Sequence, residues 1–190
     1  MNKIMISIAM LVMAIITASC SGNGNKKEMA AVDTDSVVEV KPQYAKGFTV
    51  RMLDDATRLV DVKDPQKSKG MTYRFALVRK GVKATDIPEG YTRIEVPIKR
   101  TILMTMLQLS NFTILNAHDV VKGITGTKNL YDKDILQRVK KGEIVKIGVE
   151  GNFDPELVMA AAPDVIFISP FKRGGYDAIK ETGVTLVPHL

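Results

Sequence analysis

Tryptophan is absent from the 190 residues, cysteine occurs once, histidine twice, and aromatic residues make up only 6%. Each scarcity excludes something. A single cysteine, Cys20, cannot form an internal disulfide. The two histidines, His118 and His189, have no second ligand at metal spacing, which argues against a bare transition-metal site. With so few rings, aliphatic side chains must supply the core, and a hydrophobic share of 45% against 25% charged is ordinary for a soluble globular domain. The formal charge is +6, yet Lys and Arg are scattered, with no arginine-rich or aromatic-interleaved stripe to suit nucleic acid.

What is present begins with an export pattern. Lys3 gives a positive start, Ile4 to Ile16 is apolar except for Ser7, and small residues lead to Cys20. That order reads as a secretory signal over residues 1–19, and its apolar run falls short of the roughly 20 residues that a membrane span needs. Cys20, directly after Thr17-Ala18-Ser19, resembles the lipidated cysteine of a bacterial lipoprotein, although Thr17 stands where that pattern usually has Leu. Residues 20–44 are rich in Gly, Asn, Lys, Ala and Asp, and read as a flexible tether behind the anchor.

A β-rich extension is expected over 45–92. Phe48–Leu53 and Arg58–Val62 form a predicted hairpin, Tyr73–Arg79 a third strand, and Arg93–Ile98 a fourth after the Pro88-Glu89-Gly90 turn. The rhythm then changes over 93–190. Strands are expected at Thr101–Met104, Val120–Thr125, Val145–Val149, Val165–Ser169 and Thr185–Val187. Helices are expected at Leu107–Leu115, Asp132–Lys141, Asp154–Ala162 and Tyr176–Thr182. Asp154 and Pro155 make the clearest helix start, a side-chain cap followed by the residue that suits the first helical position. This alternation predicts an α/β fold, a three-layer αβα lobe with a mainly parallel sheet, preceded by a small β-hairpin extension. Ligands of such sheets bind at the carboxyl ends of the strands.

The ordered set Val145-Lys146-Ile147-Gly148-Val149, Asn152-Phe153-Asp154-Pro155-Glu156-Leu157-Val158 and Ala162-Pro163-Asp164-Val165-Ile166-Phe167 resembles a recurrent signature. It is that of the periplasmic binding proteins for ferric siderophores, haem and cobalamin. Upstream, Arg100 to Thr105 and Asp119 to Gly126 are similar to that family's first two strands. The resemblance covers about Ile94 to Leu190 and implies the first lobe of a bilobal class III binding protein, with the second lobe absent. It further implies a non-enzyme without a cofactor of its own. Its ligand would be an iron chelate, haem or cobalamin, and its partners an ABC permease and ATPase. The chain would sit in the cell envelope, facing the periplasm on a lipid anchor.

The resemblance also nominates residues. Glu156, early in its helix, matches the glutamate with which family members dock to arginines of the permease. Its helix position alone also gives it a favourable role against the positive helix end. The four strand-end loops nominate Thr105 and Gln108; Thr127, Lys128 and Asn129; Glu150, Gly151 and Asn152; and Ser169, Phe171, Lys172 and Arg173 as ligand-facing. Lys128, Lys172 and Arg173 could pair with an anionic chelate while Phe171 offers a flat apolar contact. A solvated basic loop is the plainer reading of the same residues. Cobalamin-binding members place aromatic rings at several of these loops, where this chain has Thr127, Glu150 and Ser169, so a siderophore fits better than cobalamin.

Other patterns lead nowhere. Gly123 to Asn129 is too short for a phosphate loop and has no Ser or Thr after its lysine. No nucleophile is set beside a base and an orienting acid in a recognisable arrangement. Two further readings stay open: an α/β enzyme on a similar sheet, since fold does not fix function, and a truncated remnant without affinity for a ligand.

Overall fold

The computed structural model describes residues 38–40, 42–64, 72–83, 86–128, 130–149, 151–169 and 176–189. The expected signal, Cys20, and most of the tether lie outside the described residues.

Two five-stranded sheets organise the chain. The first has the order β1-β2-β3-β4-β5, formed by β1 (Val38–Val40), β2 (Phe48–Met52), β3 (Thr57–Lys63), β4 (Thr72–Arg79) and β5 (Thr92–Val96). Neighbouring strands run antiparallel except β4 and β5, which are parallel. The expected hairpin is β2 and β3, and it is extended on both sides into a five-stranded sheet. The stretch read as tether contributes its first strand, Val38–Val40, by pairing with β2. The strand expected at Arg93–Ile98 is β5, and it pairs with β4 rather than with the parallel sheet.

The second sheet has the order β12-β11-β6-β7-β8 and is parallel throughout. Its strands are β6 (Thr101–Leu103), β7 (Val121–Ile124), β8 (Val145–Lys146), β11 (Val165–Ile168) and β12 (Thr185–Pro188). The helices are α1 (Met106–Ile114), α2 (Lys133–Lys140), α3 (Pro155–Ala160) and α4 (Asp177–Lys180). Successive strand residues point to opposite faces, and here both faces are buried: Ile102 and Leu103 are each fully covered. Ile102 and Ile166 pack with Val158 of α3 and Ile179 of α4. Leu103 and Ile124 pack with Leu109 of α1 and Ile135 of α2. Helices on both faces of a parallel sheet make this an α/β lobe, as the alternation predicts.

Local chemistry explains the joints. Asp164, in the Pro163-Asp164 unit, accepts the backbone N–H groups of Lys99 and Arg100 at 2.7 and 2.9 Å, and so ties the entry of β11 to the entry of β6. Thr101 Oγ1 donates to the carbonyl of Val165 at 3.0 Å across the same seam. The expected strand Val145–Val149 is broken after Lys146: β9 (Gly148–Val149) turns back on β10 (Asn152–Phe153) as an antiparallel hairpin. Gly148 makes that turn possible, because its φ is +110° and a Cβ there would lie 2.5 Å from the carbonyl oxygen of Asn152.

Candidate functional site

The strand order of the parallel sheet reverses between β6 and β11. From β6 the chain steps outward to β7 and β8, then crosses to the other side for β11 and β12. At such a switch point the connections leave in opposite directions and open a crevice beyond the carboxyl ends of the strands. Backbone bonds set these ends side by side. Met104 N–H donates to Phe167 O at 3.2 Å, and His189 N–H to Ile168 O at 2.9 Å. Thr125 Oγ1 donates to Met104 O at 3.2 Å.

The first loop is occupied by a helix cap. Thr105 precedes α1, and its Oγ1 accepts the N–H of Gln108 at 3.2 Å. Gln108 Oε1 answers by accepting the N–H groups of Met104 and Thr105 at 2.8 and 3.1 Å. Both helix-start donors are thereby satisfied reciprocally. Gln108 is only 1% exposed, so the expectation that it faces a ligand is corrected: its side chain is buried and its Oε1 serves the cap. Thr105 stays partly exposed at the mouth of the crevice.

The second loop keeps its polar groups available. Thr127 is partly exposed, Lys128 is exposed, and Tyr131 is 85% exposed three residues further on. Tyr131 forms one wall of an open groove with Met106, Leu109 and Ser110 of α1. Asn129 lies outside the described residues.

The third loop is the β9–β10 hairpin, with Gly151 and Asn152 exposed and Phe153 buried beneath them. Glu150 lies outside the described residues, as do Phe171, Lys172 and Arg173. Ser169, the last described residue before that loop, is 9% exposed, so little of it is presented outward. Its N–H donates to the hydroxyl of Tyr176 at 3.2 Å.

Glu156 stands one residue inside α3, exposed to solvent. Asp154 Oδ1 accepts the N–H groups of Glu156 and Leu157 at 3.0 and 3.1 Å. The free backbone donors of this helix start are thus met by Asp154, which leaves the Glu156 carboxylate on the surface.

Three side chains at these strand ends were not among the nominated residues: Tyr131, described above, and the pair His189 and Asn111. His189 Nε2 lies 2.9 Å from Asn111 Nδ2, joining the end of β12 to α1. The sequence weighed His189 only as a metal ligand. Among the described residues no group of three His, Cys, Asp or Glu could hold a metal ion. The loops after β6 and β7 carry the hydroxyls of Thr105 and Thr127, the ammonium group of Lys128 and the phenol ring of Tyr131, while the Asn111–His189 pair ties the end of β12 to α1.

No family model matches the chain. Over 91% of its length it is 25% identical to an uncharacterized lipoprotein of Methanocaldococcus jannaschii, and it spans 49% of that relative. Among solved structures it is similar to the petrobactin-binding protein YclQ of Bacillus subtilis, with a TM-score of 0.43 and 15% identity over 68% of this chain and 37% of that one. It is also similar to a periplasmic binding protein from Veillonella parvula, with a TM-score of 0.37 and 16% identity over 67% of this chain and 38% of that one.

Proposed function

We propose that this chain is the first lobe of a substrate-binding component of an ABC importer, which captures a ferric siderophore or a related iron chelate, haem or cobalamin and delivers it to a membrane permease. The observation that carries the reading is the switch point of the parallel sheet, together with the partly exposed Thr105 and Thr127 and the exposed Lys128 and Tyr131 on the loops that follow β6 and β7. An ammonium group and hydroxyls suit an anionic chelate, and a phenol ring suits its flat face. Glu156 serves as the docking contact, since an exposed carboxylate that its own helix does not need for capping is free to meet a cationic partner. A lipid on Cys20 would hold the lobe at a membrane in the cell envelope, a placement supported by the likeness to a relative described as a lipoprotein.

The test is a titration of the full-length, delipidated protein with a ferric hydroxamate, a ferric catecholate, ferric citrate, haemin and cyanocobalamin. Intrinsic protein fluorescence is the signal, with the tyrosines of this chain as its contribution. Saturable binding of one iron chelate is expected. Silence across the panel would remove the cargo, and steady product formation from any of these compounds would favour an enzyme instead. For docking, Glu156→Arg should abolish uptake of the bound chelate while leaving its binding intact; unchanged uptake would sink the docking role.

A further inference from the structure

We infer that Phe153 and Tyr176 are positioning residues that join the β9–β10 hairpin and the carboxyl end of β11 into one mechanical unit. The inference deepens the proposed function and rests on it for its consequence, because both segments border the crevice.

Phe153 is the last residue of the hairpin and pairs with Gly148. Its ring lies parallel to that of Tyr176, with centroids 5.7 Å apart and planes 5° from parallel. At that separation the two rings are offset-stacked, a favoured arrangement of aromatic faces. Tyr176 is the residue immediately before α4, and its hydroxyl accepts the N–H of Ser169 at 3.2 Å. Ser169 and Tyr176 are thus the two ends of the connection from β11 to α4, and the phenol bridges them. One side chain therefore fixes where that connection leaves the sheet and where it rejoins the fold, while its ring face rests on the hairpin.

The hairpin has little freedom to answer otherwise. Gly148 is held at φ +110° with no room for a Cβ, and Asp154 N–H is tied to Ile147 O at 2.9 Å. Phe153, Tyr176, Ile147, Val158 and Ile179 belong to one buried cluster. A displacement of Phe153 must then either open a void in that cluster or move the Tyr176 ring, and the ring carries its hydroxyl away from Ser169. A polar bond at one strand end is in this way made to depend on an apolar contact at another.

Backbone amide hydrogen exchange on the purified chain tests the coupling. Tyr176→Phe keeps the stack and loses the hydroxyl, and should speed exchange at Ser169 by about fivefold or more. Phe153→Leu keeps the hydroxyl and loses the stack, and should speed exchange at Ser169 as well. Ile102→Val, which loosens the same cluster while leaving both rings and the hydroxyl in place, is the reference for general destabilisation. Should Phe153→Leu raise exchange at Ser169 no more than Ile102→Val does, the coupling is refuted. The functional consequence is read with the panel of chelates on the full-length protein. If the parent binds one and both ring variants bind it severalfold more weakly, through faster dissociation, the positioning role stands. Unchanged affinity in variants whose exchange has risen would overturn that role. A parent that binds nothing would instead remove the proposed cargo, leaving the exchange result to be judged alone.

Discussion

The two sheets of this chain solve the burial problem differently. The parallel sheet is covered on both faces, and its central strand shows it: Thr101, Ile102 and Leu103 are all fully buried. The first sheet has one apolar face, built from Val60, Val62, Phe75, Leu77, Ile94 and Val96, which meets Val165, Phe167 and Val187 of the parallel sheet across an open cavity of about 280 Å³. Its other face mixes the buried Leu59 and Ala76 with charged groups. There Arg51 Nη2 pairs with Asp61 at 2.7 Å, Tyr91 donates to Asp61 at 2.8 Å and also receives a hydrogen bond from Arg51, and Arg74 lies over the Tyr91 ring. Continuous apolar runs make the strands of the one, alternation the strands of the other.

This difference predicts unequal mutational costs. Ile166→Ala removes a fully buried side chain packed between the sheet and two helices, and should lower unfolding free energy in urea by about 2–5 kcal/mol. Val62→Ala removes a partly exposed side chain that faces existing open space, and should cost well under half as much. Equal losses would mean that the cavity is closed in solution, and the contrast between the sheets would fall.

The same contrast explains what could be read in advance. The parallel lobe was legible because its signals are local. Apolar runs mark the strands, and helix starts are written in single residues such as Asp132 and Asp154, both of which cap their helices as their types suggest. In the first sheet the hairpin of β2 and β3 was legible from its turn, but the remaining partners were not, because their pairing is set by contacts more distant in sequence. Val38-Glu39-Val40 is too short for a period of two to stand out, and nothing in Arg93–Ile98 says that it lies parallel to β4. In the candidate site, the strand-end loops followed from the fold, but the direction of individual side chains did not. Gln108 is instructive: Thr105 followed three residues later by Gln is a capping-box pattern, and that signal identifies Gln108 as structural. Tyr176 left no such trace, since its role depends on a ring seated against Phe153 from another loop.

Smaller effects probe the joints of the parallel lobe. Asp154→Ala should cost about 0.5–2 kcal/mol, the usual worth of a helix N-cap, because the N–H groups of Glu156 and Leu157 lose their acceptor. Thermal unfolding checks it, and a variant as stable as the parent would show that Pro155 alone starts the helix. At the other end of α3, Ala162 is held at φ +41°, the left-handed region where glycine normally ends a helix. Ala162→Gly should therefore raise stability by up to about 1 kcal/mol, since the strain of a Cβ in that conformation outweighs the added freedom of the unfolded chain. A loss of stability would show that the strain is already relieved by the neighbouring turn.

The least expected change belongs to the first sheet and appears only in alkali. Tyr91 has its pKa raised above the ordinary 10.0, first by burial and then by the Asp61 carboxylate that accepts its proton, while Arg51 and Arg74 pull weakly the other way. Tyr73 is raised likewise, by burial and then by Asp64. Above pH 10.0 the unfolded chain releases these protons while the folded chain still holds them. Unfolding then expels protons, and rising pH favours it. The stability these tyrosines contribute is fully present below their ordinary value and is lost as pH climbs through the raised one. Urea midpoints should accordingly fall between about pH 9 and about pH 11, and the double change Tyr73→Phe, Tyr91→Phe should flatten that decline. The parent chain provides the reference slope. If the double variant keeps the same slope, alkaline sensitivity is not a property of the first sheet, and the half-open sheet would then differ from the closed one in packing alone.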